Sequence, residues 1–327
     1  VTAISDRAMP FVNWDRISFS GVDVMRNVLL AVDGSKPSEE TAKFVARLPH
    51  FDPVELTVVT VVHRRFVHAS YSTNELIEKA YEQDRANALK SLERVATLFE
   101  GANVQVKTEL IEGVVGESIV EKAKDIKADL VVVGATGHSQ ISRILLGSTS
   151  DFVATHAPCS VLVVRPEALP SNGESLKVCL GYEGTGPCQA ALEELMESPW
   201  RGQTELHVVL VAACLNEVYA DPNCVQHYKK ELKQAKEQLE EVSDHVITHF
   251  LEDVHYGEAI TRFVETHGMN LVVLGETPRS HFSRFLLGST SQYVLRHVPC
   301  SVWITRNRTI EGLKHKQVES KSKPALS

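Results

Sequence analysis

The chain repeats itself. The segment GATGHSQISRILLGSTSDFVATHAPCSV, starting at Gly134, returns as GETPRSHFSRFLLGSTSQYVLRHVPCSV, starting at Gly275, with 17 of 28 positions identical and no gap, at an offset of 141 residues. A looser match at an offset of 150 joins VLLAVDGSKPS, from Val28, to VCLGYEGTGPC, from Val178. Two copies of a unit of about 140 residues account for most of a 327-residue chain. Each copy is long enough to bury a core of its own, which excludes a short-period solenoid and predicts two similar domains.

Within each copy, strand-like apolar runs alternate with helical patterns. In the first, strands are expected at Asn27–Val32, Val54–Val62, Val104–Ile111, Leu130–Val133 and Ser160–Val164. Between them, Ser35 is placed to cap a helix with Pro37 in its first turn, and further helices are expected at Asn74–Phe99, Glu117–Ile126 and Ser148–Thr155. The second copy repeats the order, with strands near Lys177–Gly181, Glu205–Val211, Val246–Leu251, Leu271–Leu274 and Ser301–Ile304. Such alternation predicts an α/β fold: a parallel sheet covered by helices on both faces, with right-handed crossovers. Ligands in such folds bind beyond the carboxyl ends of the strands, where the strand order reverses.

Composition narrows the function. Apolar residues make up 43% and charged residues 23%, values of an ordinary globular protein, and global disorder is excluded. No apolar run approaches the roughly 20 residues of a membrane-spanning helix. A net charge of −8 disfavours general binding to nucleic acid or an anionic membrane, yet permits one small anion held by backbone dipoles. The N-terminal residues show no basic segment followed by an apolar one, and the six cysteines (159, 179, 188, 214, 224 and 300) form no C-x-x-C pair. The expectation is a cytoplasmic protein with buried, reduced thiols.

The chemistry concentrates after the fourth strand. Gly134-Ala-Thr-Gly137 is followed by nine residues and then by Gly147-Ser148, which opens a helix. Glycines there let the backbone approach an anion, and the free N–H groups of a helix N-terminus complete a phosphate cradle. The Walker pattern and the G-x-S-x-G elbow are both absent, and no base-and-nucleophile set is assembled. His245 and His249 lie on the third strand of the second copy, where their spacing separates them by about 13 Å, too far to share a zinc ion. His156 and His297 recur before the x-Pro-Cys turn, which suits a structural hydrogen-bonding role.

The pattern G-x-x-G-x9-G-[ST], with VLLAVDGS at the first strand and PCSVLVVRP at the last, resembles the nucleotide-binding signature of the universal stress protein family. The resemblance covers about residues 26–166 and 176–306. It implies two tandem domains of Rossmann-like form, each with strand order 3-2-1-4-5, flanked by an extension (1–25), a linker (167–175) and a basic tail (307–327). It also implies adenine nucleotide, ATP or AMP with or without Mg2+, bound between the ends of the first and fourth strands. Carried over residue by residue, Asp33 matches the aspartate near adenine and ribose, with Ala31 and Val32 beside it. Val61 matches an apolar wall for the base, and Gly113 the glycine after the third strand. Gly134, Gly137, His138, Gly147, Ser148 and Thr149 match the segment that contacts ribose and phosphates. The second copy departs from this: Glu183 stands for Asp33, Val254 for Gly113 and Pro278 for Gly137, while Gly275 and Gly288-Ser289-Thr290 remain.

The family resemblance implies stress-linked regulation through nucleotide occupancy and partner binding. A slow ATPase or nucleotidyl-transfer enzyme and a nucleotide-free scaffold are the alternatives. The two copies are expected to pair as an intrachain pseudo-dimer, with Ser160–Val164 against Ser301–Ile304 hiding both strand edges; whole chains can also associate as a homodimer.

Overall fold

A computed structural model of the chain describes residues 25, 27–49, 53–63, 71–136, 146–171, 174–212, 222–276 and 287–306, without the side chains of 71–76 and 222–224. The first copy runs β1 (Asn27–Ala31), α1 (Lys36–Val45), β2 (Val54–Val62), α2 (Tyr71–Thr97), β3 (Val104–Glu112), α3 (Val115–Asp125), β4 (Leu130–Gly134), α4 (Ser148–His156) and β5 (Ser160–Val164). A single 3-10 turn, Pro166–Ala168, leads into the second copy: β6 (Leu176–Tyr182), α5 (Gly186–Met196), β7 (Thr204–Ala212), α6 (Pro222–Leu239), β8 (Val246–Glu252), α7 (Tyr256–His267), β9 (Leu271–Gly275), α8 (Ser289–His297) and β10 (Ser301–Thr305).

All ten strands join one sheet, in the order β3-β2-β1-β4-β5-β10-β9-β6-β7-β8. Each copy therefore has the order 3-2-1-4-5, parallel throughout. Among the described residues the only antiparallel pairing is the junction, where Val163 faces Val302, Leu162 faces Trp303 and Val161 faces Ile304. Position in the sheet explains the strand sequences. β5 and β10, at the centre, are buried at every residue, so nearly every position is apolar. β3, at one rim, exposes Gln105, Lys107, Thr108 and Glu109, and charge on a rim discourages pairing with another chain.

Helices cover both faces. One apolar layer holds α1, α2, α5 and α6 on the sheet, for example through Phe44, Leu92, Leu192 and Leu232. The other holds α3, α4, α7 and α8, through Ile119, Val153, Phe263 and Val294. Each layer contains residues of both copies, so the cores run across the junction.

Two arginines 141 residues apart in the repeat lock that junction. Arg165 follows β5 and is buried; its guanidinium donates to the carbonyls of Leu295 at 2.7 Å and Cys300 at 3.0 Å in the second copy. Arg306 follows β10 and reciprocates on the first, donating to the carbonyls of Ala157 at 3.0 Å and Ala154, with Glu276 as its ion-pair partner. Each cation meets the carbonyl end of the other copy's helix, α8 or α4, where the helix dipole favours positive charge. The serine hydroxyls match as well: Ser301 Oγ accepts from the Arg165 amide and Ser160 Oγ from the Arg306 amide. This is an isologous interface within one chain.

Candidate functional site

The strand order of the first copy reverses between β1 and β4, and the crevice at their carboxyl ends is where such a sheet takes ligands. At the end of β1, Ala31 is half-buried and Val32 buried, the Val32 amide donating to Val59 O on β2 at 2.9 Å. Asp33 follows on the surface. Its Oδ1 accepts the Ser35 amide at 3.0 Å, a turn that Gly34 completes with φ of +78°. Ser35 then caps α1, its side chain accepting from the Ser38 amide.

Gly134 ends β4, and the Ala135 amide bonds Val164 O at 2.8 Å. The Gly147 amide donates to Ala135 O at 2.8 Å, which brings the start of α4 back to the end of β4. A Cβ on Gly147 would press on that same carbonyl at 3.2 Å. Ser150, buried in the first turn, donates from Oγ to Gly134 O at 2.6 Å and fixes the helix over the strand end. Ser148 is left exposed and Thr149 half-buried at a helix N-terminus that no side chain caps. Such an end presents backbone N–H groups and two hydroxyls to an anion.

Val61 lies near the end of β2, half-buried, in register with Ile111 of β3. Gly113 is tied to the end of β2 by its amide, which donates to Val62 O at 3.1 Å, and a Cβ there would meet Ser118 Oγ at 2.4 Å. The ends of β1, β2, β3 and β4 and the start of α4 therefore carry Ala31, Val32, Asp33, Val61, Gly113, Gly134, Gly147, Ser148 and Thr149 on one edge of the sheet. Gly137 and His138, named from the sequence, lie outside the described residues.

In the second copy a cleft of about 230 Å3 opens at the same edge. Its floor is Val209, Val211 and Leu274; Tyr256 and Ile260 of α7 wall it, and Glu183 and the start of α8 rim it. Two of the departures noted in the sequence do not close it, and the third, Pro278, lies outside the described residues. Val254 turns outward at 55% exposure, and the longer Glu183 bends back to accept from Thr185 Oγ1 at 3.0 Å. Gly275 has no alternative: a Cβ there would lie 2.2 Å from Pro187 O. Burial pushes the Cys188 thiol up to about 11 and the Tyr182 hydroxyl up to about 12, so both cleft residues are neutral at pH 7. A buried neutral thiol is a weak nucleophile.

His156 and His297 have the structural role expected of them. Each ring stacks on the aromatic residue four positions earlier and bonds that residue's carbonyl through Nδ1, at 2.8 Å to Phe152 O and 2.7 Å to Tyr293 O. Cys159, Cys179, Cys188 and Cys300 are buried and form no disulfide with one another. Among the described residues, no group of three or more His, Cys, Asp or Glu is placed to hold a metal ion, and no helix is long and apolar enough to cross a membrane. One constellation escaped sequence reasoning: His249 meets not His245 but His207 of the neighbouring strand, at 3.0 Å. A lone histidine inside the apolar run Leu206–Val211 was its only trace.

Comparison with known proteins agrees with this architecture. The model of the universal stress protein family matches twice, over residues 25–165 and 175–306. A universal stress protein of Methanocaldococcus jannaschii is 34% identical over 160 residues, 48% of this chain and 92% of its own length. A putative universal stress protein of Staphylococcus epidermidis is 32% identical over 153 residues, 45% of this chain and 88% of its own. Among solved structures, a universal stress protein from Archaeoglobus fulgidus superposes with a TM-score of 0.60 at 20% identity, covering 86% of this chain and 98% of that one, a likeness of fold. The chain belongs to the universal stress protein family, as two tandem domains joined edge to edge in one sheet.

Proposed function

We propose that the first domain binds an adenine nucleotide, ATP or AMP, and that the chain regulates a stress response through occupancy of that site and the partners it then engages. The observation that carries this reading is the return of α4 to the end of β4. The Gly147 amide bonds Ala135 O, and Ser148 and Thr149 head an uncapped helix N-terminus beside the switch point. That arrangement supplies amide and hydroxyl donors for phosphates without any cationic side chain. Asp33, at the adjoining strand end, suits a ribose or adenine donor, since a carboxylate at the end of a strand accepts two hydrogen bonds from a sugar diol. Val61 offers the base an apolar surface. Residues 26–166 and 176–306 are the two functional units in this reading, and the second, with Glu183 for Asp33 and Pro278 for Gly137, has a different selectivity.

Mass spectrometry of small molecules released from the denatured purified chain identifies the ligand, and calorimetric titration counts it. The expected stoichiometry is one adenine nucleotide per chain. Asp33→Ala is expected to weaken binding about 10–100-fold, the loss of hydrogen bonds to a charged group, with little change in folding. Two equivalent tight sites, or unchanged affinity in the variant, would overturn the assignment.

A further inference from the structure

His207, buried, and His249, half-buried, form a pair beneath the cleft of the second domain. His207 points from β7 on the same face as Val209 and Val211, which floor the cleft. His249 comes from β8, the outermost strand at that end of the sheet. Helix α7 closes over both. Phe263 meets His249 edge-on at 4.6 Å between ring centres, and His267 stacks on Phe263 at 4.0 Å.

The ring nitrogens define the protonation state. His207 Nδ1 lies 3.0 Å from His249 Nε2, so one of the two must carry hydrogen and the other a lone pair. His207 Nε2 is buried with no hydrogen-bond partner, and its near neighbour is Glu205 Oε2 at 3.5 Å. A lone pair aimed at a carboxylate is repulsive, so Nε2 carries the hydrogen. In the neutral ring Nδ1 is then bare and accepts from His249 Nε2–H. One further proton leaves a lone pair between the rings. A second sets two N–H groups face to face at 3.0 Å with no acceptor, and the contact fails. Among the described residues the charged surroundings offer one acid, Glu205 on β7, against Lys177 on β6 and His267 on α7, both of which oppose added positive charge.

We propose that the His207–His249 pair is a proton-operated latch that holds the outer strand β8 and the helix α7 on the second domain when both rings are neutral and releases them on acidification. Opening it loosens one wall of the cleft, because Tyr256 and Ile260 on α7 line that cleft. The latch stands whether or not any nucleotide binds. The first domain shows the contrast. By strand register Thr57 and Glu109 occupy the equivalent places, and Glu109 pairs with Lys122 of α3.

The pH window follows from the direction of the shifts. Burial, with the neighbouring imidazoles, pushes His249 down to about 4, and burial lowers His207 as well. The open state therefore binds more protons than the closed one. Closure is at full strength above about 6.5, the unperturbed value, and is lost as pH falls toward about 4.

Hydrogen exchange of the full chain, read by mass spectrometry from pH 8 to pH 5 and corrected for intrinsic exchange, tests it. From His249 alone, the opening constant of β7, β8 and α7 should rise about 30-fold over that range, the ratio set by values of about 4 closed and about 6.5 open. The β2–β3 pair of the first domain is the internal control and should stay flat. His249→Gln retains a donor for His207 Nδ1 but cannot charge, and should reduce the pH dependence of the second domain to what His207 alone contributes. Nitrogen-15 NMR of the wild-type imidazoles gives a reading that needs no variant: both rings of the pair should be Nε2–H tautomers down to about pH 5. Equal pH dependence in the two domains, an undiminished slope in His249→Gln, or rings that titrate near 6.5 would each overturn the latch.

Discussion

Glycines show how much one residue can decide. Gly275 and Gly288 both belong to the repeated motif, and the sequence treats them alike. Their surroundings do not. A methyl group at Gly275 would lie 2.2 Å from a backbone carbonyl, while at Gly288 nothing among the described residues stands within 4 Å and φ is −59°. Gly275→Ala is therefore expected to destabilise the second domain by about 3 kcal/mol or more, since the backbone of α5 must shift. Gly288→Ala should change stability by less than about 0.5 kcal/mol. Urea unfolding of the two variants checks the contrast, and equal midpoints would show that the close approach to Pro187 relaxes freely. At this scale the motif was legible in the sequence, and the reason for each glycine was not, because close approach is a property of two segments.

At the scale of elements, helices announced themselves through their ends. Ser35, Pro37 and Glu39 mark the start of α1, and the structure begins that helix at Lys36 with Ser35 as its cap. Removing the cap hydroxyl in Ser35→Ala should cost about 1 kcal/mol, seen as a lower denaturation midpoint, because an N-terminal amide loses its acceptor. An unchanged midpoint would mean that the Ser38 hydroxyl, which bonds Ser35 O, holds the turn unaided. The long helix α2 begins at Tyr71, three residues before the apolar pattern starts at Asn74. α3 likewise begins at Val115, ahead of Glu117, and is entered without a side-chain cap. Apolar spacing registers only the buried stripe, and in α3 the first residue, Val115, is exposed and outside that stripe.

On the scale of the whole molecule, the two arginines at the junction matter most. Arg165 is buried, and burial lowers its affinity for a proton, yet it remains charged, and two of its guanidinium nitrogens donate to carbonyls of the other copy. Arg165→Met keeps the apolar stem and removes the guanidinium, leaving the carbonyls of Leu295 and Cys300 without that donor. The expected loss is about 2–4 kcal/mol, the effect of stranding buried acceptors of a charged donor. Calorimetry should show a transition several degrees lower. A single transition that does not move would mean that the sheet junction alone holds the copies together.

The sequence alone determined the repeat, the α/β alternation and hence the parallel order within each copy, because strand and helix periodicities are local and crossovers have one hand. It also marked the end of β4 and the start of α4 as the candidate site, since glycine after a strand and a hydroxyl at a helix start are local signals. The junction between copies was anticipated from an exposed edge. That Arg165 and Arg306 would trade places across it, and that His207 would find His249, only the tertiary structure decided. In both cases the partners lie on different strands or different copies, and their chemistry depends on burial and on ångström-scale approach. Residue order along the chain does not contain those quantities until packing brings the side chains together.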